Sequence, residues 1–167
     1  MPPEPWQEVA RLLILCSSDD QNQLAALNVA LQVVKHNLPQ AEITLLLLET
    51  STYRYAPMTT TLDEWVQQTH SNYGDRGRTL IEQLQAHRYD AAMIFTTPGQ
   101  SPYSLAYSCY LAGIPIRLGQ SQEFGGGVLS PSVPPPMIAM TLTDYYLHLL
   151  TSVGFSVPEA SALAIAE

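Results

Sequence analysis

The chain has 167 residues, of which 46% are hydrophobic and 13% are charged, and its formal net charge is −8. This is the length of one ordinary domain, and a composition so rich in apolar residues excludes a disordered polyelectrolyte. Because Lys35 is the single lysine, the chain offers no basic stripe for nucleic acid, and its acidic balance limits contact with an anionic membrane to a peripheral one.

The first predicted elements form a β-α-β unit. The apolar run Leu12–Cys16 predicts a strand that is buried on both faces. Leucines three or four residues apart predict a helix over 21–37 that ends at Leu38-Pro39, and Ile43–Leu48 supply a second apolar strand. Since a helix joins two fully buried strands, the strands are predicted to be parallel and the fold class to be α/β.

The later elements continue this alternation. Residues 62–68 suit either a helical turn or a short strand, and their position among the alternating elements favours an edge strand. Helices are predicted over 79–87, 103–112 and 144–153, and strands over 91–95 and 116–118. The whole predicts a Rossmann-like parallel sheet with helices on both faces in residues 1–155, followed by a tail or linker over 156–167.

Several kinds of site are not indicated by the sequence. Cys16 and Cys109 lack C-x-x-C spacing and are predicted to be buried thiols, and the four histidines share no ligand spacing that would hold a metal ion. Gly125–Gly127 lack the P-loop lysine and the dinucleotide-site spacing, so they indicate a turn or a close approach of the backbone, with a phosphate cradle as the less favoured alternative. No cofactor is expected. The apolar run Leu12–Cys16 is far shorter than the ~20 residues of a membrane span, and we expect a cytoplasmic protein.

Ligands of an open parallel sheet bind outside the carboxyl ends of its strands, where loops and helix N-termini converge. This rule selects three polar loops, at 17–23, 96–103 and 119–127. In the first loop, Asp19 and Asp20 either cap the following helix or take a proton from an attacking hydroxyl. The other candidate binding residues in these loops are Ser18, Asn22, Thr97, Gln100, Ser101, Glu123, Gly125 and Gly126.

Several segments carry a resemblance to a known family when they are taken together. Residues 88–96, 109–119 and 123–129 supply a strand, a helix and a loop in that order, and Asp144–Leu150 supplies a further helix. With the start of the chain, this pattern resembles glycosyltransferase family nine, the ADP-heptose:lipopolysaccharide heptosyltransferases, over roughly residues 11–155. The resemblance implies the N-terminal, acceptor-side domain of a two-domain GT-B enzyme.

The resemblance also implies a reaction and its partners. The family transfers a sugar from an ADP-heptose-like donor, held by the C-terminal domain, to a glycan or glycolipid acceptor in lipopolysaccharide biosynthesis. This chain stops where the donor domain is expected, so we predict that it is inactive alone and is a truncated form, a split enzyme or a remnant. The face that would meet a donor domain is expected to be apolar and to favour self-association, with peripheral contact at the inner membrane.

One position departs from the family pattern. The family's Gly-Asp pair, whose aspartate is thought to act as base, falls on Asn22-Gln23. Because glutamine cannot take a proton, Asp19 or Asp20 would have to replace the base. The alternative is a non-catalytic sugar-binding or scaffolding module that kept the fold.

Overall fold

The computed structural model describes residues 4, 6–17, 21–48, 53–58, 80–121 and 128–158. Within them, six strands form a sheet in the order β3-β2-β1-β4-β5-β6. The strands are β1 (Arg11–Ser17), β2 (Glu42–Leu48), β3 (Tyr53–Pro57), β4 (Ala91–Phe95), β5 (Ile116–Gln120) and β6 (Ser132–Val133). The described helices are α1 (Gln21–Asn37), α2 (Leu80–His87), α3 (Tyr103–Leu111) and α4 (Leu142–Ser152), preceded by a 3-10 turn at Trp6–Glu8.

The centre of the sheet is parallel, as predicted. Ile14 of β1 lies opposite Leu45 of β2 and Met93 of β4, and β5 and β6 continue in the same direction. At the other edge β3 runs antiparallel to β2. Only residues 49–52 separate these two strands, whereas a parallel crossover needs about a dozen or more residues. The α/β class is therefore confirmed, with β3 and β6 as edge strands that the sequence did not predict; the expected strand at 62–68 lies outside the described residues.

The strands bury both of their faces. Along β1, Leu12 and Ile14 pack in the layer that contains α1 and α4, whereas Leu13 and Leu15 pack in the layer that contains α2 and α3. All four side chains have 0% exposure. The prediction of helices on both faces is confirmed, and Cys16 and Cys109 are buried free thiols as predicted.

Helix α4 differs in detail from its prediction. It begins at Leu142 rather than Asp144, because the Thr141 hydroxyl accepts a hydrogen bond from the Asp144 N–H at 3.1 Å and caps the first turn. Its buried side chains are Tyr145, Tyr146, Leu149 and Leu150. The sequence placed Leu147, Leu150 and Val153 on one apolar face of this helix; Leu150 is buried, whereas Leu147 and Val153 are half-buried.

Candidate functional site

A cleft of about 610 Å³ opens at the carboxyl ends of β4 and β5. Its first wall is the loop 98–101 after β4, and its second wall is the segment 135–140 that leads into α4. Gln120 and Ser121 at the end of β5 form the floor, and Tyr145 closes one side. Every lining residue within the described part of the chain is uncharged.

The first wall is a tight turn held by its own polar groups. Gly99 has a φ of 86°, a backbone conformation that glycine adopts without strain. The Gln100 side-chain oxygen accepts from the Thr97 N–H at 3.1 Å, and the Ser101 hydroxyl accepts from the Tyr103 N–H at 3.2 Å. These bonds fix the turn and place Gln100 and Ser101 at the mouth of the cleft.

Gln120 gives the floor a buried hydrogen-bond acceptor. The residue is 3% exposed, and its Nε2 donates to the main-chain oxygen of Tyr145 at 3.0 Å. Its Oε1 is buried and has no hydrogen-bond partner among the residues that the structure describes. Thr96, directly after β4, also has a buried hydroxyl that finds no partner in the described ranges of the chain. Because an unsatisfied buried polar group costs about 1–3 kcal/mol, a ligand or water that supplies the missing partner is favoured here.

The second wall is apolar and projects outwards. Met137 is 100% exposed and Ile138 is 73% exposed. The wall is anchored at both ends, because a ring nitrogen of His148 lies 3.2 Å from the Pro134 oxygen and Thr141 caps the following helix. Residues 128–143 contain no charged side chain. A ligand in the cleft would therefore meet an apolar surface opposite the polar turn.

A buried polar cluster lies next to Tyr145, in the layer shared by α1 and α4. Gln23, which is 4% exposed, donates its Nε2 to the Tyr146 hydroxyl at 3.1 Å, and the Cys16 sulfur lies 4.0 Å from the same hydroxyl. Burial raises the pKa of Cys16 to about 12, against a smaller lowering by its hydrogen bond with Tyr146, and burial also raises the pKa of Tyr146. The cluster is thus neutral at physiological pH and ties α1 to α4.

The predicted binding residues are distributed unequally around this cleft. Gln100 and Ser101 line it, Thr97 holds the adjoining turn, and Asn22 is exposed on the first turn of α1 and does not belong to the lining. The other predicted site residues, Ser18, Asp19, Asp20, Glu123, Gly125 and Gly126, lie outside the described residues.

The sequence did not single out the floor or the second wall. The predicted last strand ended at Leu118, which left Gln120 as one polar residue in a longer loop, whereas β5 extends to Gln120. The prolines near residue 135 indicated an extended loop without indicating what it would face. A polar residue at the end of an apolar strand is the signal that could have found Gln120.

Two other kinds of site are not seen in the part of the chain that the structure covers. No group of three or more His, Cys, Asp or Glu side chains is placed to hold a metal ion within those residues. None of the described helices is long and apolar enough to cross a membrane.

Comparisons with known proteins establish the fold of the chain but do not assign it to a family. No family model matches the chain, and no curated protein matches its sequence. Among solved structures it is similar to E. coli heptosyltransferase WaaC with ADP-2-deoxy-2-fluoro heptose, at 13% identity and a TM-score of 0.51, covering 93% of this chain and 53% of WaaC. For WaaC with ADP the identity is 14%, the TM-score 0.52, and the shares covered 93% and 52%.

A third similar structure is the "minimal scaffold" domain of Ste5 that cocatalyzes Fus3 phosphorylation by Ste7. The identity is 14%, the TM-score 0.50, and the shares covered are 92% of this chain and 91% of that one. At these identities the likenesses establish a heptosyltransferase-like α/β fold. The chain spans about half the length of the heptosyltransferase.

Proposed function

We propose that the chain is the acceptor-binding half of a glycosyltransferase resembling the heptosyltransferases, with residues 1–155 as its domain. The observation that best supports this proposal is the uncharged cleft at the carboxyl edge of a heptosyltransferase-like sheet. This edge is where open α/β folds bind their ligands. In line with the resemblance, the acceptor would be a glycan or glycolipid of lipopolysaccharide biosynthesis, met in the cytoplasm or at the inner membrane.

The lining of the cleft has the two surfaces that a sugar needs. Hydroxyl groups can pair with the amide of Gln120 and with the hydroxyl of Ser101. The apolar C–H face of a sugar ring can pack on Tyr145 and on the wall that contains Met137. A few polar groups in an apolar setting are typical of small-molecule sites, since the polar groups orient the ligand and the apolar surface adds binding energy.

The chemistry would require a carboxylate from the loop after β1. Asp19 or Asp20 takes the proton of an acceptor hydroxyl, and that oxygen attacks the anomeric carbon of the donor sugar. The bond from this carbon to the phosphate oxygen breaks, and the nucleoside diphosphate leaves with the electron pair. Gln23 cannot replace the base, because an amide takes no proton and its nitrogen is committed to Tyr146.

A chimera tests this proposal. Residues 1–155 are joined to the donor-binding half of a family-nine glycosyltransferase, and transfer from ADP-heptose to a panel of glycan acceptors is measured. We expect transfer by the chimera and none by the chain alone. The variants Asp19→Asn and Asp20→Asn distinguish a catalytic base from a helix N-cap, because asparagine caps a helix nearly as well as aspartate but cannot accept the proton. Unchanged transfer in both variants would remove these aspartates from the mechanism.

A second candidate function is sugar binding without transfer. It is favoured by Gln23, which occupies the position that the resemblance gives to the base and is used inside the fold instead. It is also favoured by the absence of a carboxylate among the described residues of the cleft. Glycan binding by the chimera with no transfer to any acceptor would support this second function over the first.

A further inference from the structure

The orientation of the Gln120 side chain determines what the floor of the cleft can bind. Its Nε2 donates to the Tyr145 main-chain oxygen at 3.0 Å, and the reversed amide would bring two oxygens together there. The Oε1 is therefore the atom that has no partner within the described part of the chain, and it is buried. An amide oxygen only accepts hydrogen bonds. The group that satisfies it must donate an N–H or O–H.

The charges around the cleft disfavour an anionic ligand. Its described lining contains no cation, and the chain has a net charge of −8. Arg117, on the same strand as Gln120, is buried and donates its Nε and Nη1 to the main-chain oxygens of Val128 and Ile114, both at 2.6 Å. An anion in the cleft would lose hydration without gaining a positive partner, which is costly.

We propose that the cleft selects neutral polyols, meaning uncharged sugars with a hydroxyl that donates to Gln120 Oε1, over acidic or phosphorylated sugars. The inference rests on the proposed function and deepens it by naming the class of acceptor. Gln120 would then orient the ligand by accepting from one of its hydroxyls, whereas the discrimination against carboxylate and phosphate groups comes from the lack of a cation in the described lining. The exposed second wall with Met137 would cover the apolar face of the same ligand.

Matched sugars test the selectivity on the unaltered protein. The methyl glycosides of glucose, galactose and mannose are titrated beside the corresponding uronic acids and 6-phosphates, and the dissociation constants are measured by NMR. Resonances of the Gln120 side-chain amide and the Ser121 backbone report occupation of the floor. We expect at least one neutral glycoside to shift both resonances and to bind about tenfold or more tightly than its acidic partners. Equal affinity for the anionic sugars, or no shift at Gln120 with any sugar, would overturn the proposal.

A substitution isolates the acceptor atom. Gln120→Met keeps the length of the side chain and removes the oxygen, so we expect neutral glycosides to bind about 3- to 10-fold more weakly, as for the loss of one neutral hydrogen bond. Gln85→Met makes the same chemical change on the exposed face of α2 and should leave the affinity unchanged. Unchanged affinity in a folded Gln120→Met variant would overturn the role of the oxygen. If that variant does not fold, the titration of the unaltered protein decides.

The outcomes separate this inference from the proposed transferase function. Selective binding of neutral sugars together with an inactive chimera would refute transfer and retain the selectivity. Transfer by the chimera to an acidic sugar bound at Gln120 would retain the transferase and refute the selectivity.

Discussion

Removing the hydroxyl of Tyr146 tests whether Gln23 serves the fold. In the folded protein this hydroxyl accepts from Gln23 Nε2 at 3.1 Å, and both side chains are buried. In Tyr146→Phe the Gln23 amide stays buried and loses that acceptor. Such a loss costs about 1–3 kcal/mol, so we expect the free energy of unfolding to fall by about 2 kcal/mol.

Urea unfolding followed by circular dichroism measures this change. With an m-value of about 2 kcal/mol/M, the midpoint for Tyr146→Phe should fall by about 1 M while m stays constant. The double variant Gln23→Met/Tyr146→Phe removes both polar groups, and it should be less destabilised than the sum of the single variants. Tyr107→Phe is the matched control, because Tyr107 is 53% exposed and should change stability by less than about 0.5 kcal/mol.

Two results would refute this reasoning. One is a Tyr146→Phe variant as stable as the Tyr107→Phe control. The other is simple additivity of the Gln23 and Tyr146 substitutions, because uncoupled residues share no interaction energy. Either result would mean that the buried bond does not hold α1 to α4, and the structural interpretation of Gln23 would lose its basis.

Three further predictions use the same unfolding measurement. Arg117→Lys should cost about 2 kcal/mol or more, since a lysine cannot reproduce the guanidinium's hydrogen bonds to several carbonyls; a loss below about 0.5 kcal/mol would contradict this. Gly119→Ala should cost about 1 kcal/mol or less, because its Cβ would lie 2.9 Å from Leu129 Cδ2, the end of a side chain that can shift; a loss above about 2 kcal/mol would contradict this. Burial raises the pKa of Cys16 and Cys109 from 9.0 to about 12. The stability that the two neutral thiols contribute is therefore complete below pH 9, and the free energy of unfolding should fall as the pH rises from about 9 to 12. Alanine at both positions should make the free energy of unfolding less dependent on pH in this range.

The central architecture could be predicted because it depends on local patterns. A run such as Leu12–Cys16, with no polar alternation, is stable only when both faces are covered, and this requirement calls for parallel neighbours and helices on either side. The leucine spacing in 21–37 and the stop at Leu38-Pro39 placed α1 at residues 21–37, where the structure has it. The rule for open sheets also directed attention to the carboxyl edge and to Gln100 and Ser101, which line the cleft there.

The edges of the sheet and the floor of the cleft were decided by the tertiary structure. Residues 49–52 are too short for a crossover, but only pairing with β2 shows that β3 returns antiparallel. Gln120 ends an apolar strand, but that position alone does not show which of its atoms is paired or that a cleft lies beside it. Its importance arises because α4 brings the Tyr145 carbonyl to its nitrogen and leaves its oxygen buried beside the cleft. Periodicity reports which face of an element is apolar, whereas a cleft is made by segments such as 98–101 and 135–140 that meet only when the chain has folded.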